Sequence, residues 1–596
     1  MQRFIPNLLA AALAFSSVQA MAAADLVLFN GKVFTAEPGQ GLVQAVAVQD
    51  GKILKVGSNA EINALADTRT QRIDLAGKVL MPGMIDTHSH PVVAAFDSMG
   101  ANLLDEVKPL PELEQWIIEQ DQAGIARAGD VISIAGVSSA YWDKSRELGQ
   151  RFNQGRWVDQ PVVLSGIDGH TGWANNAMLK RLKIDATLVK GLSEQDRSYV
   201  GHDADFIPNG YFSESRWDLI RSQIPAPSDE IMLKAAREAV KVNNQYGVTA
   251  WMDAAANAGS GDSLFDFKAT EQSYGVLPLY RELAEKGELN AHVAALLLAN
   301  PKSRPADLEV LAKVMKKFEG VPNLSFPGIK VFADGVLEFP GQTAAVIVPF
   351  KNSHKNGQLL IDPAHFGELV VAAEKRDWIV HMHAVGDRAV RESLNGFAYA
   401  RKLNPTQVAH SISHLQLVNP KEFPRFKQLG VIASMQLLWA TGESYTVELV
   451  KPYISAFAYG YQYPAKSLHN AGAVIAGGSD WPVSSPNPWN AIAQASTRKG
   501  PLGVLNAKES IDRQTMFYAY TLNAAKALRL EQQIGSLTPG KQADLIILDR
   551  DVFKVSDDEL FDTKVLKTFF AGKEVYAPAS RPSLHPHHAK DAWLLA

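Results

Sequence analysis

The sequence has no cysteine in its 596 residues, so no disulfide framework holds the fold and no thiolate serves as nucleophile or metal ligand. A bound metal would have to use histidine, carboxylate or an oxygen built on lysine. Charge of one sign is lacking too: 59 basic residues against 63 acidic ones leave a net charge of −4. Without a basic stripe to neutralise phosphates, nucleic acid is excluded as a partner. Past the N-terminus no run reaches the roughly 20 apolar residues of a membrane-spanning helix, so no stable membrane insertion is expected.

With 46% apolar and 20% charged residues, the composition is that of an ordinary globular protein. The length exceeds one ordinary core, which implies a large domain with at least one companion. Residues 1–23 differ from the rest: Arg3 supplies a positive n-region, residues 8–15 an apolar stretch, and Val18-Gln19-Ala20 a small-residue cleavage site. That pattern reads as a cleavable secretory signal, placing the mature protein in the periplasm or outside the cell. A small-molecule substrate is the expected partner, and homo-oligomerisation is compatible with the chain.

From residue 24 to about 80, short apolar runs broken by glycine read as a small sheet. The same texture returns within residues 530–580, so both chain ends are expected to build one composite β-sandwich. Between them, in residues 81–529, strand-like runs alternate with stretches of helical period, the mark of βαβ units. Ten runs can be counted, at 84–86, 131–137, 162–166, 248–253, 293–298, 329–333, 379–383, 411–414, 431–435 and 474–478. The second and third fall in a turn-rich span of about 100–225, read as an insertion after the first barrel strand. Eight strands remain, and the fold class is therefore α/β, a (β/α)8 TIM-like barrel with the composite sandwich and that insertion. Residues 581–596 form a C-terminal tail, whose His585, His587 and His588 read as a solvated terminus.

The first barrel run ends in Asp86-Thr87-His88-Ser89-His90. Histidines at i and i+2 of an extended strand point the same way, so both imidazoles can reach one metal. Further candidates sit at the C-terminal ends of later strands, where barrel active sites lie: Lys330 on the fourth, His383 on the fifth, His414 on the sixth and Asp480 after the eighth. His381 shares a strand face with His383, and spacing alone does not choose between them. Position favours His383, nearer the strand end, and His414 over His410 on the same ground.

With Gly247-Val248-Thr249, Gly478-Ser479-Asp480 before Pro482, and the closing stretch from Ile534-Gly535-Ser536 to Gly540-Lys541-Gln542-Ala543-Asp544-Leu545, the chain resembles the amidohydrolase superfamily. The likeness is to the branch containing N-substituted formamide deformylases, over nearly the whole mature length. The resemblance implies a metal-dependent hydrolase of carbon–nitrogen bonds other than peptide bonds. It implies His88, His90, His383, His414 and Asp480 as ligands of one or two divalent ions, with Lys330 as an N-carboxylated bridge. An ammonium would repel a cation, whereas a carbamate offers two anionic oxygens; the competing role for Lys330 is an ion pair with Asp334. Zinc suits imidazole ligands and an open catalytic position. Asp480 is the candidate catalytic acid–base group, relaying a proton from water to the leaving amine.

Asp168-Gly169-His170-Thr171 and the segment from Pro208 to Glu214 also match family stretches, making His170 and Glu214 candidate substrate contacts. The segment from Val336 to Ala344 departs from the family's shorter polar link and leaves the substrate unassigned. Ester or lactone hydrolysis, or isomerisation, is the alternative on the same site. A secreted binding or regulatory protein with an inactive metal site is the alternative from another class.

Overall fold

The computed structural model describes residues 23–259, 261–404 and 408–578. The segment read as a signal, apart from Ala23, and the histidine-bearing tail lie outside the described residues. Eight parallel strands form the central sheet: β1 (Met84–Ser89), β2 (Val248–Asp253), β3 (His292–Leu298), β4 (Leu324–Phe332), β5 (Ile379–Ala384), β6 (Ser411–His414), β7 (Ile432–Met435) and β8 (Val474–Gly477). They are hydrogen-bonded in chain order from β1 to β8. The seam between the first and last strands is closed by the Asp480 N–H donating to the His88 carbonyl (2.7 Å) and the Thr87 hydroxyl donating to the Gly477 carbonyl (2.9 Å). The expected barrel is therefore present, with the eight strands read from the sequence. Most of these strands are buried on both faces, which is why they read as continuous apolar runs rather than as alternation.

Helix α1 (Pro91–Met99) starts directly after His90, with proline in its first turn where a missing N–H costs nothing. It packs against the helix Asp229–Gln245. Ser228 caps that helix by accepting the Ile231 N–H, Asp229 and Glu230 complement its positive end, and Ala235, Ala236, Ala239 and Val240 form its buried stripe.

Both chain ends meet in two sheets. One has four strands in the order Lys52–Gly57, Ala45–Gln49, Leu26–Phe29 and Gln71–Asp74; the other has five, in the order Lys32–Val33, Val79–Pro82, Leu545–Leu548, Val565–Phe570 and Lys573–Tyr576. Leu26, Leu28, Val46 and Val48 from the first pack against Leu80, Leu545, Ile547 and Phe569 from the second, as a sandwich requires.

The insertion carries more order than its turn-rich sequence suggests. It holds a six-stranded mixed sheet running from Val200–His202 through Pro208–Ser213, Thr171–Ala174, Val162–Gly166 and Val131–Val137 to Arg127–Ala128. Its side chains alternate faces: Ile132, Ile134 and Leu164 enter one core, while Val131, Val163 and Phe212 enter another with Trp217. Both faces are covered, and the sheet stands as a wall over the mouth of the barrel.

Candidate active site

The strand ends at the barrel mouth are fixed by one buried carboxylate. Asp86 accepts the backbone N–H groups of both His88 and Ser479, each at 3.0 Å, tying β1 to the segment after β8. Burial raises its carboxyl to about 6, against the lowering effect of the bonds from Ser479 and His88. The His90 N–H donates to the Trp481 carbonyl at 2.9 Å. His88, His90 and Asp480 are thus held in register by the Asp86 carboxylate and by backbone contacts.

His88, His414 and Asp480 offer ligand atoms that all lie within 4.8 Å of one another, and all three side chains are buried. Asp480 Oδ1 is 3.4 Å from the Nε2 atoms of both His88 and His90, and Oδ2 is 3.8 Å from His414 Nδ1. Both ring nitrogens of His414 are buried without a hydrogen-bond partner. An orphaned buried imidazole is costly in an apolar interior unless something else meets it, so this donor set fits a cation. Burial alone would raise Asp480, but the surrounding His88, His90 and His414 outweigh it and hold the carboxyl well below the usual range. Burial pushes His88 down to about 3 and His383 and His414 well below the ordinary histidine value. All three are neutral at physiological pH, the state a metal ligand needs.

Lys330 lies 3.3 Å from His88 Nε2, with its Nζ 5.0 Å from the Phe332 ring centroid. Burial lowers its ammonium to about 7, with Asp480 pulling the other way. The ion pair with Asp334 does not form. Asp334 instead accepts the N–H groups of Ala345 (2.8 Å), Val385 (3.0 Å) and Gly386 (2.8 Å), with Oδ1 3.8 Å from His383 Nε2. His383 packs on His414 with ring centroids 4.3 Å apart, and its Nε2 donates to the Gly335 carbonyl at 3.2 Å. That bond leaves the lone pair on Nδ1.

Of the paired histidines, His410 is a core residue. Its Nδ1 accepts the Val380 N–H (3.0 Å), its Nε2 bonds Glu374 (2.9 Å) and its ring stacks on Phe397. His381 is fully buried one layer below the mouth, but its position is more than packing. Its Nε2 meets His88 Nδ1 at 2.6 Å and its Nδ1 meets the Ser411 hydroxyl at 2.6 Å.

His170 and Glu214 are brought together from the inserted sheet, His170 Nδ1 to Glu214 Oε2 at 3.0 Å. The Thr343 hydroxyl donates to the other Glu214 oxygen at 2.6 Å and itself receives the Val336 N–H at 2.9 Å. The segment whose sequence departs from the family pattern is thus the one that braces Glu214. Burial would lower His170, but the Glu214 carboxylate outweighs it and raises the imidazole above its ordinary value. The His170 ring lies 5.1 Å from that of His383. His88, His90, Lys330, His383, His414, Asp480 and His170 all line one cavity of about 540 Å³ between the barrel mouth and the inserted sheet. Glu214 stands behind His170.

A model of the amidohydrolase family matches residues 71–576, a stretch that includes the barrel, the insertion and most of the sandwich. The chain belongs to the amidohydrolase family. It is 27% identical to Protein LONG AFTER FAR-RED 3 of Arabidopsis thaliana over 564 residues, covering 93% of this chain and 92% of that protein. It is 24% identical to the N-substituted formamide deformylase of Arthrobacter pascens over 567 residues, covering 92% and 97%. Among solved structures it is similar to an uncharacterised metal-dependent hydrolase from Pyrococcus horikoshii OT3, with a TM-score of 0.66, 22% identity, and coverage of 89% of this chain and 99% of that one.

Two amidohydrolase-site features escaped the sequence reading. His381 was separable from His383 by strand position, but its bond to His88 depends on the closeness of β1 and β5 across the barrel. Trp439, stacked on His414 with ring planes 5° apart, comes from the loop after β7 and carried no motif at all.

Proposed function

We propose that this amidohydrolase cleaves a carbon–nitrogen bond other than a peptide bond, in an amide, formamide or cyclic amide, with one or two divalent ions, zinc foremost. The observation that supports this most is the buried group of His88, His414 and Asp480, with both His414 nitrogens unpartnered, opening into the cavity. His90, His383 and Lys330 would complete the ligand set. A divalent ion held there would supply an acidified water, of pKa about 7, and polarisation of a substrate carbonyl.

The chain's own residues divide the remaining work. Asp480 stays ionised, so it can take a proton from the attacking water and return it to the departing amine. Lys330, lowered to about 7, has a substantial neutral fraction at physiological pH. The neutral amine is the form that adds carbon dioxide, forming an N–C bond and releasing a proton to leave an anionic carbamate. His170, oriented by Glu214, faces the same cavity and is placed to contact the substrate beside His383. Phe265 and Phe332 pack around His170 and, with Trp439 on His414, limit water at the reacting centre. The N-terminal sequence pattern supports export to the periplasm or beyond.

The test is elemental analysis of the purified mature protein beside an Asp480→Asn variant, with both assayed on matched N-formyl and N-acyl amides and esters. About two divalent ions per chain and amide turnover lost in the variant would support the bridged hydrolase. One ion would remove the bridge, turnover of esters alone would replace the reaction class, and no metal after reconstitution would sink the proposal.

A further inference from the structure

The cavity has two chemically different ends. At the metal-binding end imidazoles and the Asp480 carboxylate converge on one another, with both His414 nitrogens unpartnered. The rest of the wall carries exposed aliphatic side chains, Val93, Ile125 and Ile231 being exposed by 40%, 44% and 43% along the same cavity. Exposed aliphatic side chains gathered in a concave surface mark the place where an apolar ligand body is taken from water.

One charged group in that wall is uncommitted. Asp253 accepts the Tyr280 hydroxyl at 2.6 Å. Asp168 accepts the N–H groups of His170 and Thr171, each at 2.9 Å, and the hydroxyls of Ser139 and Thr171 at 2.8 and 2.7 Å. The Asp97 carboxyl, half-buried on α1 where that helix lines the cavity, has no hydrogen bond and no ion pair among the described residues, although the Asp97 carbonyl accepts the Asn102 side chain at 3.4 Å; the charge acting on the carboxyl is that of Arg221. The Arg221 guanidinium is turned to other partners, the Asp218 carboxylate at 3.1 Å and the Asp262 carbonyl at 3.0 Å. Burial raises the Asp97 carboxyl to about 7 although Arg221 pulls the other way. A carboxylate that lines a cavity with no protein donor on it is open to a ligand that brings the donor.

Its position sets the length of that ligand. Asp97 is seven residues beyond His90 on a helix that begins at residue 91, which at 1.5 Å per residue carries it about 10 Å along the helix axis from His90.

We propose that the outer end of the cavity is a subsite for a primary amine, carried on an apolar body that extends from the hydrolysed bond past His90 by about 10 Å of helix rise, with Asp97 as the residue that reads it. The subsite rests on the hydrolase reading only for what lies at its other end. Substrates would then be apolar amides with a cationic tail, distinguished from neutral amides of the same length by one charge-assisted hydrogen bond.

The experiment measures binding of octylamine and octanol to the full mature protein by titration calorimetry, with octanohydroxamate, a chelator of divalent ions, as a third ligand. Wild type should bind octylamine at least about tenfold more tightly than octanol. Asp97→Asn, which is isosteric and removes the charge, should erase that preference without weakening octanol, while Asp97→Glu should keep it. Equal binding of the two ligands by wild type overturns the subsite. So does a preference that survives Asp97→Asn, since the amine would then sit elsewhere. Octanohydroxamate reports on the other end: if it fails to bind while the amine preference holds, the metal-hydrolase reading falls and the subsite stands.

Discussion

Replacing His381 should loosen metal binding without dismantling the barrel. His88 turns Nε2 toward Asp480 (3.4 Å) and Lys330 (3.3 Å), so that nitrogen must keep its lone pair to serve as a ligand. Its proton then belongs on Nδ1, where His381 Nε2 accepts it at 2.6 Å, and His381 passes the arrangement on by donating from Nδ1 to the Ser411 hydroxyl at 2.6 Å. All three residues are buried, so water cannot take over either bond. In His381→Leu the His88 Nδ1–H loses its acceptor, a penalty of about 1–3 kcal/mol for a buried donor. His88 escapes it by moving the proton to Nε2 and donating toward Asp480, and an incoming metal must then reverse that shift. Losing such an outer partner typically weakens metal affinity 10- to 100-fold, or about 1.4–2.8 kcal/mol, the same size as the penalty just worked out. Dialysis against graded chelator concentrations, followed by metal analysis, should show His381→Leu losing half its metal at about 10- to 100-fold lower chelator than wild type. His381→Gln keeps an acceptor and should fall between the two. A His381→Leu protein that holds metal as wild type does, while melting earlier, would refute the relay and reduce His381 to packing.

Asp480→Asn should lower kcat by about 10²–10⁴-fold in steady-state assays on the best amide of the panel, with a far-ultraviolet spectrum like that of wild type. Gly335→Ala should displace Glu214, because a Cβ there would stand 2.2 Å from both Glu214 Oε1 and Thr343 Oγ1; with His170 moved in consequence, kcat/KM should fall by about 10²-fold. Glu443 is raised to about 8, by burial first and then by the nearby Asp105 and Glu338 carboxylates. A folded-state value above the unfolded one, about 4.3, means that the folded protein holds the proton longer, so stability is lost as pH rises from about 4.3 to about 8. Glu443→Gln should therefore raise the thermal midpoint more at pH about 8.5 than at pH about 5, by the equivalent of about 1–3 kcal/mol; an equal shift at both would show that Glu443 is not protonated in the fold.

How far the sequence reached depended on the kind of signal each element carries. The barrel strands were legible because burial on both faces demands unbroken apolar runs, and Val248–Asp253 and Ser411–His414 carry the residues read for them. The start of β4 was not, since Leu324 to Gly328 includes a proline and a serine at the half-buried entry to the strand. The inserted sheet was largely missed for a related reason. Thr171–Ala174 and Pro208–Ser213 contain glycine, asparagine and proline, and they are strands because of their neighbours rather than their propensity. The candidate ligands could be picked out by their place at strand ends, whereas the His381 bond, the Thr343 brace on Glu214 and the free carboxylate of Asp97 arise from contacts between segments far apart in the chain.

Backbone conformation adds a layer that no residue pattern announces. Glu214, His414 and Asp480 all adopt left-handed φ values, of 46°, 73° and 54°, a region that a side chain with a Cβ enters at about 1–2 kcal/mol. Glycine would relieve that strain at each position but would supply no imidazole or carboxylate. The three are held there by bonds from other elements: the Asp480 N–H to the His88 carbonyl, the His414 N–H to the Gln436 side chain at 2.9 Å, and the Glu214 N–H to the His170 carbonyl at 2.8 Å. In each case the sharp turn comes where a strand ends or a helix begins. The extended chain of β6, for example, would carry the next side chain to the opposite face of the barrel wall, and a left-handed residue redirects it. The fold thus sustains local strain at three residues, through barrel closure and the inserted wall; two of them, His414 and Asp480, line the cavity and the third holds His170 there, and strain retained at such a place is what function, rather than stability, accounts for.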